Sequence, residues 1–229
     1  MKKAIACFLS VLMLFASTAL ADTDKEILFH GIPWGISVNT LVNHLKERKI
    51  PISSSNVYAD SDMRFWGSQF MSITEDHFDS TGYEISIYDY DDRIQIAGYS
   101  VLNVDLYAHY GIIDGEISFD ADDSEYYFCS ILFSVGDDMV EGVYSDLLRK
   151  LTNLYGNCAT NTAIPNSAES TYAVWYGDNN TAVMLYRNDE YQYVSLYYGK
   201  TDSEQKLREV RRLVIEHEFQ SVADDSTGL

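Results

Sequence analysis

The sequence predicts an α+β fold, with antiparallel sheet and helices packed on one face. Three observations carry this. Short runs rich in Ile, Val and Tyr recur with turn residues between them, which is how hairpin-linked strands read. Three segments instead keep a helical period. The helices interrupt runs of strands rather than alternating with single strands, so the sheet is antiparallel rather than doubly wound.

The first helix follows Ser37, a capping residue, and places Val38, Leu41, Val42 and Leu45 on one face before Pro51 ends it. Residues 50–92 are less regular. Ser53–Asn56, Trp66-Gly67 and 89–92 read as turns, and Tyr83–Ile87 alternates as a strand. Strands are expected at 93–97, 101–110 and 116–119, with a turn at Asp114-Gly115, and then at 126–135. The second helix, 139–155, has the most regular period: Val140, Val143, Tyr144, Leu147, Leu148, Leu151, Leu154 and Tyr155. Asp137 and Asp138 suit its N-terminus, and Gly156 sits where a terminating glycine belongs. A polar connection, 157–170, leads to three hairpin-spaced strands at 171–176, 182–187 and 191–198. Thr201-x-x-Glu204 reads as a capping box for a last helix carrying Leu207, Val210, Leu213, Val214 and His217.

Residues 1–21 read as a cleavable signal peptide: Lys2-Lys3, an apolar run of 4–15, and small residues ending in Ala19-Leu20-Ala21. Export to the periplasm or medium is the expectation. The apolar run is shorter than the roughly 20 residues a membrane-spanning helix needs, and no later stretch is apolar enough. Residues 22–218 then form a single α+β domain with possible halves at 22–138 and 139–218, and 219–229 an acidic disordered tail. After cleavage the chain carries 14 basic against 35 acidic side chains, a formal charge of −21. That excludes nucleic acid and anionic membranes as partners, since both need a positive surface.

Two cysteines remain, Cys129 and Cys158, and an even pair in an oxidising compartment reads as a disulfide. A strand leading out from Cys129 and a helix leading back span similar lengths, about 20 and 24 Å, so an antiparallel return would bring Cys158 beside Cys129.

The opening Phe29-x-Gly31-Ile32-Pro33-Trp34-Gly35-x-Ser37, with Ile96-Ala97-Gly98-Tyr99 and Asp146-Leu147-Leu148-Arg149-Lys150-Leu151-x-x-Leu154-Tyr155-Gly156, resembles uncharacterised secreted proteins of gut-type bacteria. That resemblance implies no activity or site residue. A helix packed on a meander and then repeated resembles β-lactamase-inhibitor-like modules and small outer-membrane-assembly lipoproteins. Those are binding modules, and this chain lacks the lipid-attachment cysteine of the second group.

Motifs for chemistry are sparse. There is no G-x-S-x-G elbow and no H-E-x-x-H pair, and the five histidines (30, 44, 77, 109, 217) follow no pattern. A calcium loop beginning at Asp120 would need Gly at its sixth position and Glu at its twelfth, where Glu125 and Ile131 stand. No cofactor and no metal are expected. The abundance of tyrosine, 18 residues, points instead to a ligand face. Tyr191, Tyr193 and Tyr197 alternate along one strand, and Trp34, Phe65 and Trp66 lie on loop-like segments. Two functions follow: a non-enzymatic binding module for a protein or glycan, or a hydrolase of envelope or host polymers using carboxylates the sequence does not single out.

Overall fold

The computed structural model describes residues 26–50, 52–59, 80–88, 94–163 and 170–226. The signal peptide, Phe65 and Trp66 lie outside the described residues.

The fold is α+β. Its helices are α1 (Val38–Glu47), α2 (Val140–Tyr155) and α3 (Ser203–Ser226). The strands are β1 (Ser54–Ala59), β2 (Ser80–Tyr88), β3 (Gln95–Ile96), β4 (Tyr99–His109), β5 (Gly111–Ile113), β6 (Glu116–Ser118), β7 (Glu125–Phe133), β8 (Thr160–Ala163), β9 (Ser170–Gly177), β10 (Thr181–Asn188) and β11 (Tyr193–Lys200). The main sheet runs β1-β2-β4-β7-β11-β10-β9-β8 with every pairing antiparallel, β3 pairs with β4, and β5–β6 form a separate hairpin. Each of two helices is therefore followed by a four-strand meander, and the two meanders meet where β7 pairs with β11.

Local chemistry explains most boundaries. The Ser37 side chain accepts from the Thr40 amide at 3.3 Å, capping α1, whose Val38, Leu41 and Leu45 are buried. Asp114-Gly115, at φ +53° and +87°, turns β5 into β6. Gly156 closes α2 at φ +83°, its amide donating to Thr152 O at 2.9 Å.

Several expectations need correction. Ser54–Ala59 is an edge strand rather than a turn, and Thr160–Ala163 adds an edge strand within the expected polar connection. Neither has an apolar alternation, because an edge strand need only complete backbone pairing. Among the described residues of the expected strand 93–97, only Gln95–Ile96 is a strand, since Ala97 adopts φ +54° and with Gly98 turns the chain into β4. Helix α3 begins at Ser203, so its N-cap position falls on Asp202, and the Thr201 hydroxyl donates to Asn180 O at 3.2 Å instead. The same helix continues to Ser226, into the stretch from 219 that the sequence reads as a disordered tail. Leu154 is exposed, because the apolar stripe of α2 is narrower than its sequence allows.

One sheet face carries the main core. Ile85, Leu106, Cys129, Ile131, Leu196, Val183 and Trp175 point to it, and α1 and α2 cover it with Leu41, Leu45, Leu147 and Leu151. Tyr107, Phe128, Met184 and Tyr186 belong to the opposite face, where α3 packs Leu207 near Tyr107 and sets Val210 and Val214 against Tyr110 beside the β5–β6 hairpin. Two of the patches that carry the sequence resemblance touch each other. Tyr99 donates its hydroxyl to Asp146 at 2.8 Å, and Lys150 bridges Asp146 and Ala97 O, each at 2.6 Å, with its ammonium 4.9 Å from the Tyr99 ring centre. These contacts fasten the β3–β4 turn to α2.

Candidate functional site

A cleft of roughly 480 Å³ opens where β4 ends, β7 begins, β11 ends and α3 starts. That volume lies within the range of small-ligand sites. The segment before α1 forms one wall. It is held to the sheet by the Ile27 amide donating to Thr181 Oγ1 at 3.0 Å, and by Gly35 and Tyr126 amides donating to Tyr126 O and Ile36 O at 2.8 Å each. Trp34 lines the cleft from this wall. Its indole N–H donates to Ile27 O at 2.8 Å, and one ring face stacks on Tyr126 at 4.7 Å.

The floor comes from a cross-strand pair. His109 and Glu125 are register partners across β4 and β7, which places their side chains side by side. A bulge lies next to them: the register slips between Tyr107 and Ala108, leaving Tyr127 as an extra residue. Tyr127 then stacks on the His109 ring at 5.4 Å. Gly82 faces His109 from β2, and a Cβ there would lie 2.7 Å from the His109 Cα and closer still to the Ala108 carbonyl. Only glycine lets β2 approach this closely.

His109 is 3% exposed. Its Nδ1 lies 2.9 Å from Tyr110 O, so Nδ1 carries the proton and donates it, leaving Nε2 with a lone pair. Burial pushes its pKa down, further lowered by Lys206 and opposed by the Tyr110 carbonyl and Glu125. The ring is therefore neutral at neutral pH. Nε2 stands 3.8 Å from Glu125 Oε2, and Lys206 Nζ from α3 holds the other oxygen at 2.6 Å. Two acceptors thus face each other with no proton between them. Ser203 also lines the cleft, but its hydroxyl donates to Lys200 O at 2.7 Å and not to the imidazole, so no serine nucleophile is armed by His109.

The residues expected to form one ligand face lie apart. Trp34 is in the cleft. Tyr193 and Tyr197 share a sheet face, but their rings sit 5.7 and 6.3 Å from Tyr186 and are half-buried in that cluster. Burial pushes Tyr197 up to about 12. Tyr191 is not on the strand: it lies in the β10–β11 turn, 69% exposed, its amide donating to Asn188 Oδ1 at 2.8 Å, and Gln192 takes φ +52° before β11 begins. An asparagine-anchored turn ended the alternation one residue pair early.

The expected disulfide is absent: Cys129 and Cys158 are both free thiols. Helix α2 does not return alongside β7. The Ala159 amide donates to Val174 O on β9, and β11 and β10 stand between β9 and β7. Three inter-strand steps are about 14 Å, twice the reach of a disulfide. Burial raises the Cys129 thiol well above its ordinary pKa, and the thiol lies against the Tyr126 hydroxyl.

A second polar cluster occupies the face opposite α2. Asp105 opposes Ser86 and Ser130 in register and receives the Asn103 amide at 2.6 Å. Burial pushes its carboxyl up to about 6; Ser86 opposes the shift, and Glu84, on the same face of β2, adds to it. Tyr107 donates to Glu84 at 3.3 Å.

Among the described residues, no three His, Cys, Asp or Glu side chains converge as a metal site, and no helix is long and apolar enough to cross a membrane. The sequence did not single out Glu125 or Lys206, and it left His109 among scattered histidines. Nothing local marks them, because β-pairing and α3 packing alone bring 109, 125 and 206 together. No family model, no curated protein and no solved structure matches the chain.

Proposed function

We propose that the protein is exported and acts as a non-enzymatic binding module, holding a neutral, hydroxyl-rich ligand such as the end of a glycan in the cleft. One observation carries this: Trp34, His109 and the Glu125–Lys206 pair line a single cavity of roughly 480 Å³. A half-exposed indole offers an apolar surface to a sugar ring, and a few fixed polar groups orient it. Anions are disfavoured, because Glu26, Glu125 and Asp202 also line the cavity and its two lysines are engaged with Glu125 and Asn179 O. A protein partner would have to insert a side chain of the same chemistry.

The test is binding of residues 22–229 to an array of bacterial and host glycans. The expected result is retention on at least one glycan class, lost in Trp34→Ala at unchanged fold by circular dichroism. Retention on none would overturn the reading, and undiminished binding by the variant would move the site elsewhere.

The hydrolase reading draws on one observation, the raised Asp105 carboxyl beside Glu84, since a protonated acid near a second carboxylate suits glycoside cleavage. Release of reducing ends from envelope polysaccharide, abolished in both Asp105→Asn and Glu84→Gln, would favour it over simple binding.

A further inference from the structure

The cleft contains an acceptor pair that its own protein leaves unfilled. His109 Nε2 and Glu125 Oε2 are 3.8 Å apart, and Nδ1 has already given the ring's single proton to Tyr110 O. Each acceptor needs a hydrogen of its own, which adjacent hydroxyls of one sugar ring can supply together. Lys206 occupies Glu125 Oε1, so the carboxylate charge is already balanced. A ligand ammonium in the gap would sit close to the Lys206 ammonium, whereas two neighbouring hydroxyls of a sugar bring both hydrogens and no charge.

Resting on the glycan-binding reading, we infer that the His109–Glu125 gap is the hydroxyl-recognition element of the cleft, and that His109 makes binding pH-dependent by accepting a sugar hydroxyl only while neutral. Protonation puts a hydrogen on Nε2. The imidazolium then donates into Glu125 itself, fills the gap and loses its acceptor. The charged groups facing this exchange are Glu125 from β7, Lys206 from α3, Asp202 at the α3 cap, Lys200 from β11 and Glu26 from the N-terminal wall. Glu125 favours the proton on His109, and Lys206 opposes it. Desolvation of a ring only 3% exposed also opposes it, so the exchange falls on the acid side of an ordinary histidine.

Two substitutions separate the ring nitrogens. His109→Asn places an amide where Nδ1 stands and can keep the bond to Tyr110 O, but leaves nothing at Nε2. His109→Gln reaches the Nε2 position with an acceptor that does not titrate. The probes are cellotriose, maltotriose and the β-1,4 trimer of N-acetylglucosamine, titrated calorimetrically into residues 22–229 between about pH 5 and about pH 8. For whichever probe binds, wild-type affinity should fall on acidification, on the acid side of an ordinary histidine. His109→Asn should weaken it roughly tenfold near neutral pH, the worth of one hydrogen bond. His109→Gln should retain more affinity and lose the pH dependence. Binding by none of the probes or array glycans would remove the glycan reading and this inference with it. Binding that is pH-independent and equal in all three proteins would overturn the inference alone and leave the glycan reading standing.

Discussion

Asp105→Asn should stabilise the protein at neutral and alkaline pH and leave it unchanged in acid. Asp105 sits mid-strand on β4 between Ser86 and Ser130, and burial raises its carboxyl from 3.8 to about 6. A carboxyl whose folded pKa lies above its unfolded value favours the fold only while protonated. That contribution is complete below about pH 4 and is lost as pH rises through about 6. The shift of about two units corresponds to at most about 3 kcal/mol. The carboxyl is partly exposed and solvent screens it, so about 1–2 kcal/mol is the expected penalty at neutral pH. Asparagine removes the penalty, since it cannot ionise, and keeps an oxygen to accept from Asn103. Urea denaturation of both proteins at about pH 4, 6 and 7.5 measures this as a difference of midpoints at constant slope. The variant curve should lie above wild type at the highest pH and merge with it at the lowest. A variant equally or less stable at all three would refute the reasoning, because it would mean the Asp105 carboxylate is not penalised by the fold.

Other outcomes follow from the core and the site. Trp175→Ala, at a side chain 1% exposed, should cost about 3–5 kcal/mol by denaturant melt, while Trp175→Phe should cost about 1–3 kcal/mol because Gly156 O loses its donor. Thiol labelling under native conditions should modify Cys158 readily and Cys129 only on unfolding, with the same total before and after reduction; thiols appearing only after reduction would contradict the strand order. Gly82→Ala should cost about 1–3 kcal/mol and disturb the His109 backbone, since its Cβ would collide with Ala108 and His109, and hydrogen exchange of the β2–β4 amides should accelerate.

The period-3.6 stripe of α2 and the apolar, tyrosine-rich runs of β4, β7, β9 and β10 were legible because burial selects such residues directly. The edge strands β1 and β8 were not, since nothing packed against them selects an alternating pattern. The disulfide expectation failed on strand order. A helix returning antiparallel to β7 was the simplest path, but β11 takes that neighbouring place and α2 delivers Cys158 to β9 instead. Trp34 could be singled out as an aromatic on a loop. His109, Glu125 and Lys206 could not, because a cross-strand register and the landing point of α3 bring them together, and neither leaves a local sequence mark.

The most direct test of the central claim is a two-dimensional ¹H–¹⁵N spectrum of residues 22–229 titrated with a glycan retained on the array, observing side-chain as well as backbone nitrogens. The account predicts saturating shifts at the Trp34 indole N–H, the His109 ring nitrogens and the backbone around Glu125 and Lys206. Shifts confined to the Tyr191–Tyr197 region, or to Glu84 and Asp105, would contradict it and place the ligand on the sheet face instead.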